Sequence, residues 1–202
     1  MKSQPITIIQ RNFFRLMRLS LFGDDEQIEP MSAAKWQQLF RLSCTHGAAG
    51  VVARGIEMCA DQFFRQIPEA LLQQWSEARR QVVLANKAAN AVQRNIAAEL
   101  ELNQLRPMLC GSQVFSALYG SEPLRQPSSV CFFFPFATQG RKANKWAIEH
   151  SDKVLVNERR RVVYSTDGVV VEHNRNLMTL SNKLLQFRSE EHTSELQSHH
   201  DL

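Results

Sequence analysis

The chain has 202 residues, 44% hydrophobic and 22% charged, with a formal net charge of +4. These fractions exclude disordered, collagenous and disulfide-framework proteins, and the length suits one large domain or two small ones with a real core. The longest apolar-aromatic stretch, around Val130 to Ala137, falls far short of the roughly 20 residues that span a bilayer.

The N-terminal MKSQPITIIQRN carries no secretory signal, because Arg11 closes its short apolar run. Four scattered cysteines, Cys44, Cys59, Cys110 and Cys131, lack CxxC spacing. With no export signal beside them, they predict reduced, buried thiols in a cytoplasmic protein. The first hundred residues read as helix. Ile9 to Phe22 places Phe13, Leu16, Met17 and Leu21 at helical spacing, and Gly23-Asp24-Asp25 ends the run. Ser32 is placed to cap a helix through Leu42 that buries Trp36, Leu39 and Phe40. A further helix is predicted from Ala48 to Ala60.

Pro68-Glu69 begins the longest pattern, to Leu105, with proline in the first turn and an acid at the positive end of the dipole. Leu71, Leu72, Trp75, Val82, Val83, Ala89, Val92, Ile96 and Leu100 recur at three- and four-residue steps, a face that must pack on something. After Leu105 the period changes. Pro107 to Cys110 is a short apolar run; Gly111-Ser112 leads into a helical stretch from Gln113 to Tyr119, and Pro123 and Pro127 punctuate a loop. Val130 to Phe136 reads as a strand, and Arg141 to His150 as a helix with Trp146 and Ile148 inward. Three β-branched runs follow, Lys153–Val156, Arg161–Tyr164 and Val169–Glu172, separated at Asn157-Glu158 and Thr166-Asp167-Gly168. Asp-Gly between strands signals a hairpin. The expected fold is α+β: a helical region over residues 1–104, then a small mixed sheet with packed helices over 105–187.

From Arg188 the chain reads RSEEHTSELQSHHDL. Its first dozen residues resemble the in-frame translation of a widely used short-read sequencing adapter. The segment is polar and without helical or strand period, so 188–202 is set aside as a processing scar. On that reading the natural protein continues past Phe187, and His199-His200 is no metal site. Without Arg188, Glu190, Glu191, Glu195 and Asp201, the chain holds 23 basic against 16 acidic residues, a net +7. That charge permits nucleic-acid contact, yet no basic motif interleaved with aromatics supports it. No Walker loop, HExxH or GxSxG occurs.

The stretch from Leu105 to His173 contains Met108-Leu109-Cys110-Gly111, Ala117-Leu118-Tyr119, Pro123, Arg125, Ser128-Ser129-Val130-Cys131-Phe132 and Val170-Val171-Glu172-His173. This layout resembles the catalytic core of the nucleotidyltransferase superfamily that includes DNA polymerase beta. Within it, the chain is similar to the bacterial uncharacterised nucleotidyltransferase family, which has a helical N-terminal region of this kind. That family's pattern is an apolar strand, Lys-Gly, a helix ending in an aromatic, Pro, Arg, then Gly-Asp-Ile-Asp on a strand and a third acid further on. The resemblance implies a nucleoside triphosphate and Mg²⁺, with phosphate contacts at Gly111, Ser112 and Arg125. It also implies that Ser129 and Cys131 hold the places of the paired acids, Glu172 that of the third acid, and Cys110 that of the lysine.

Nucleotidyl transfer uses two divalent ions about 4 Å apart, and Mg²⁺ takes hard carboxylate or phosphate oxygens. A hydroxyl offers one neutral oxygen, and a thiol is a poor ligand for Mg²⁺. Each candidate also has a plain structural role: Gly111 a tight turn, Ser112 a helix cap, Cys131 a small buried hydrophobe, Glu172 a solvated strand end. His173 is a weaker candidate, and Arg159-Arg160-Arg161 reads either as a phosphate contact or as a solvated charge run. Three readings stand. The chain is a degenerate nucleotidyltransferase that still binds nucleotide or a partner, an active one using Glu172 with acids such as Asp152 or Asp167, or a helical scaffold module. The acceptor substrate is not legible.

Overall fold

The computed structural model describes residues 6–24, 27–63, 67–111, 113–114 and 124–176. The expected tail at 188–202, Ser112, Ala117-Leu118-Tyr119 and Pro123 lie outside the described residues. Helix α1, Ile8–Phe22, opens on a capping box in which Thr7 and Gln10 satisfy each other's amides. Gly23 ends it in the left-handed conformation, its amide bonded to the Leu19 carbonyl. Helices α2 (Ala33–Thr45), α3 (Ala49–Met58) and the short α4 (Ala60–Phe63) precede the 34-residue α5 (Glu69–Leu102). Ser32 stands at the N-cap of α2, but its hydroxyl makes no capping bond; only its carbonyl serves, accepting the Trp36 amide.

Helix α5 serves two cores. Its first turns place Leu71 and Trp75 against Phe13, Leu16, Trp36, Leu39, Val52 and Ile56. Its later turns place Ala89, Val92, Ile96 and Leu100 under the sheet. Packing therefore changes hands inside α5, between Trp75 and Ala89, ahead of the chain position where the sheet begins. Each fully buried large apolar side chain contributes about 1.5–3 kcal/mol, so both halves of α5 are firmly held. The helix ends in a Schellman turn: Gln104 is left-handed (φ 59°), and the Leu105 amide reaches the Leu100 carbonyl at 2.8 Å.

Among the described residues five strands follow: β1 (Met108–Cys110), β2 (Val130–Phe133), β3 (Lys153–Glu158), β4 (Arg161–Thr166) and β5 (Val169–Asn174). Their order in the sheet is β1-β2-β5-β4-β3. Strand β2 runs antiparallel to β1 and parallel to β5, while β3, β4 and β5 form an antiparallel meander, so the sheet is mixed. Asp167 (φ 50°) and Gly168 (φ 72°) make the tight turn between β4 and β5, both left-handed as a type I′ hairpin requires. The other hairpin turns at Arg159-Arg160, because β3 runs on through Glu158, which pairs with Arg161. Asn157-Glu158, expected as the separator, are strand residues.

Helix α6, Ala137–His150, begins four positions before the expected Arg141. It buries Gly140, Ala143 and Ala147, small side chains that let it lie close to the sheet. Trp146 is half-buried and stacks on His150, while Ile148, expected inward, is exposed because it falls off that small-residue face. Successive strand residues point to opposite sides. One side of the sheet, carrying Val130, Phe132, Val162, Tyr164 and Val171, forms the core with α5 and α6. Among the described residues, no helix is long and apolar enough to cross a membrane.

Candidate functional site

The parallel register of β2 and β5 sets Cys131 beside Glu172. Ser129, immediately before β2, donates its hydroxyl to Glu172 Oε1 at 2.8 Å. The three positions expected from sequence as the places of the acids therefore meet on one side of the sheet, opposite the helices. Strand alternation puts Ser129 and Cys131 on the same side, and pairing of β2 with β5 brings Glu172 to them.

Two residues that the sequence did not place at this cluster complete it. Arg161 donates to Glu172 Oε2 from Nη2 at 3.1 Å and from Nε at 3.3 Å. Asn174 donates from Nδ2 to the Cys131 sulfur at 3.2 Å. Arg161 was legible in principle. Counting outward from the Asp167-Gly168 turn pairs Val163 with Glu172, which sets Arg161 two residues further along, on the same side as Glu172. Reading Arg159-Arg160-Arg161 as one charge run hid that step.

Both carboxylate oxygens of Glu172 are thus engaged. Partial burial raises its pKa, but hydrogen bonds from Ser129 and Arg161, the Arg161 charge and Asn174 together hold it below the ordinary value. The sulfurs of Cys110 and Cys131 lie 2.9 Å apart across β1 and β2. Burial, with Cys131 and Glu172 adding, pushes the Cys110 thiol well above its usual range. Of the four thiols expected to be buried, Cys59 is buried and bonded to the Gly55 carbonyl, whereas Cys44 is exposed on α2 and Cys110 and Cys131 are partly exposed.

Gly111 is left-handed (φ 78°), as the turn out of β1 requires, and a side chain there would meet the Cys131 Cβ at 3.4 Å. The Arg125 backbone is tied to the helices: its carbonyl accepts the Asn86 side-chain amide of α5 at 2.8 Å, and the amide of the next residue, Gln126, bonds to the Gly47 carbonyl. His173 belongs to the core. Its ring lies among Phe132, Phe134 and Tyr164, with Nε2 3.0 Å from the Tyr164 hydroxyl, and burial lowers its pKa to about 4. Asp152 and Asp167 meet each other at the hairpin, where the Asp167 amide donates to Asp152 Oδ2. The turn residue Gly168 and three residues of β5, Val169, Val170 and Val171, separate Asp167 from Glu172.

These residues do not fit a pair of Mg²⁺ ions. The cluster offers one carboxylate, already bound by a serine and an arginine, beside two thiols that hard cations avoid. Among the described residues, no group of three or more histidine, cysteine, aspartate or glutamate side chains is placed to hold a metal ion. No known protein family, curated protein or solved structure matches the chain.

Proposed function

We propose that this chain is a nucleotidyltransferase-like protein that keeps the frame of that site without its metal chemistry, and that it binds a nucleotide without turnover. The observation that supports the reading is the meeting of Ser129, Cys131 and Glu172 on one side of the sheet. The resemblance assigns those three positions to acids, and nothing in the composition or the helical periodicity required them to converge. Arg161 takes the place of a cation as the counter-charge to Glu172, which favours the degenerate reading over an active Mg²⁺ enzyme. The exposed left-handed turn at Gly111, at the end of β1, offers backbone that a phosphate can approach. A cytoplasmic location, where thiols stay reduced, is part of the reading.

Calorimetric titration with the four ribonucleoside triphosphates, in Mg²⁺ and in chelator, tests it. The reading expects at least one to bind equally in both buffers, with no pyrophosphate released. Binding that requires Mg²⁺ and ends in pyrophosphate release would establish the active enzyme instead. Failure of all four to bind would leave the sheet a structural module.

A further inference from the structure

We propose that Cys110 and Cys131 are a reversible redox pair, oxidised by a small-molecule disulfide to a cross-strand bond that staples edge strand β1 to β2. The inference stands on strand geometry and is independent of nucleotide binding. Strand β1 is three residues long and, among the described residues, lies at the edge of the sheet with β2 as its one partner. Cys110 is directly opposite Cys131 in the antiparallel register. Such partners have Cα atoms about 4.5–5.5 Å apart, inside the range of about 4.4–6.8 Å that a disulfide tolerates. The sulfurs, at 2.9 Å, need close by only about 0.9 Å to reach the bonded length of roughly 2.05 Å. Both residues are partly exposed, so a small oxidant reaches them without unfolding. Among the described residues these are the two cysteines whose sulfurs meet; Cys59 is buried and Cys44 is exposed on α2.

Asn174 donates to the Cys131 sulfur, which suits Cys131 to be the attacking thiolate. Cys131 loses its proton and attacks one sulfur of the disulfide RSSR, forming a mixed disulfide and expelling RS⁻. Cys110 then gives up its proton, attacks the Cys131 sulfur and expels the second RS⁻. The two protein protons end on the two RS⁻ groups. Two electrons pass from the protein sulfurs to the small disulfide, giving one protein disulfide and two molecules of RSH. The product closes a loop between residues 21 apart in sequence.

The full native chain is incubated with glutathione disulfide, then alkylated, digested without reduction and mapped by mass spectrometry. The expected result is a peptide pair joined through Cys110 and Cys131, reversed by reduced glutathione. Oxidised protein should melt higher by roughly 5–10 °C, a loop-closure effect spread over a chain of this size. Cys44→Ser should keep both results, and Cys110→Ser should lose both. The map on the unmutated chain needs no variant to fold. The proposal is overturned if Cys44 becomes glutathionylated while Cys110 and Cys131 stay unlinked, or if the link forms only in denaturant.

Discussion

On the side of the sheet turned toward α5 and α6, the strands bury Val130, Phe132, Tyr164 and Val171. On the other side the same strands set Cys131, Arg161, Glu172 and Asn174 in contact. Adjacent residues therefore have opposite duties. Phe132 completes a core while Cys131 faces a thiol and an amide, and His173 is sealed among aromatic rings while Glu172 pairs with an arginine. The comparison teaches that burial among aromatic rings accounts for the polar group on the core side, His173, whereas on the other side the polar groups are held by one another, Glu172 by Ser129 and Arg161.

The sharpest way to break the comparison is to truncate one residue on each side. Phe132→Ala should cost about 3–5 kcal/mol in urea unfolding, because it opens a cavity between strand and helices. Ser129→Ala should cost about 1 kcal/mol, the scale of a single hydrogen bond to a charged group on a partly exposed site. Similar costs at the two positions would erase the distinction.

The second prediction concerns pH. His173 titrates near 4 in the folded chain and near 6.5 when unfolded. The unfolded chain therefore binds the extra proton between those values. Stability is fully present above pH 6.5 and falls as pH drops toward 4, by up to about 3 kcal/mol. His173→Leu should flatten this window in denaturant titrations run at several pH values; an unchanged slope would mean that another group sets it.

A smaller effect belongs to the site. Arg161→Met leaves a partly buried carboxylate without its counter-charge and should cost about 1 kcal/mol at pH 7. Glu172 is held below the ordinary carboxylate value, so its contribution is present above about pH 4.3 and is lost as pH falls through its folded pKa. The cost of Arg161→Met should fade over that acid range, and Glu172→Gln should remove most of the difference in a double-mutant cycle. The smallest change is Ile148→Gln, expected within about 0.5 kcal/mol of the parent because Ile148 lies off the buried face of α6.

Much of the fold was legible. The apolar periodicity of α1 and α5 and the β-branched runs around Asp167-Gly168 reflect local patterns that burial then enforced. Where reading and structure part, long-range packing decides. The helix expected from Arg141 starts at Ala137 and takes in Gly140, where a side chain would press on the Arg175 stem at 2.9 Å and on Phe134. Asn157-Glu158 reads as a turn, but the hairpin closes at the arginines, where pairing with β4 extends β3. Of the site, Ser129, Cys131 and Glu172 were named from the resemblance. Arg161, Asn174 and the meeting of Cys110 with Cys131 depend on register between strands, which single-residue patterns do not carry.

The central claim is that the frame of a metal site survives without its ligands, and melting temperature against Mg²⁺ tests it most directly. The natural chain should show no saturable response. The double variant Ser129→Asp with Cys131→Asp sets three carboxylates together; it should melt lower in chelator, because like charges repel. It should then regain stability as Mg²⁺ rises, since an ion that binds only the folded chain stabilises it with concentration. A response in the double variant alone is the predicted result. An equal, saturable response in the natural chain would contradict it.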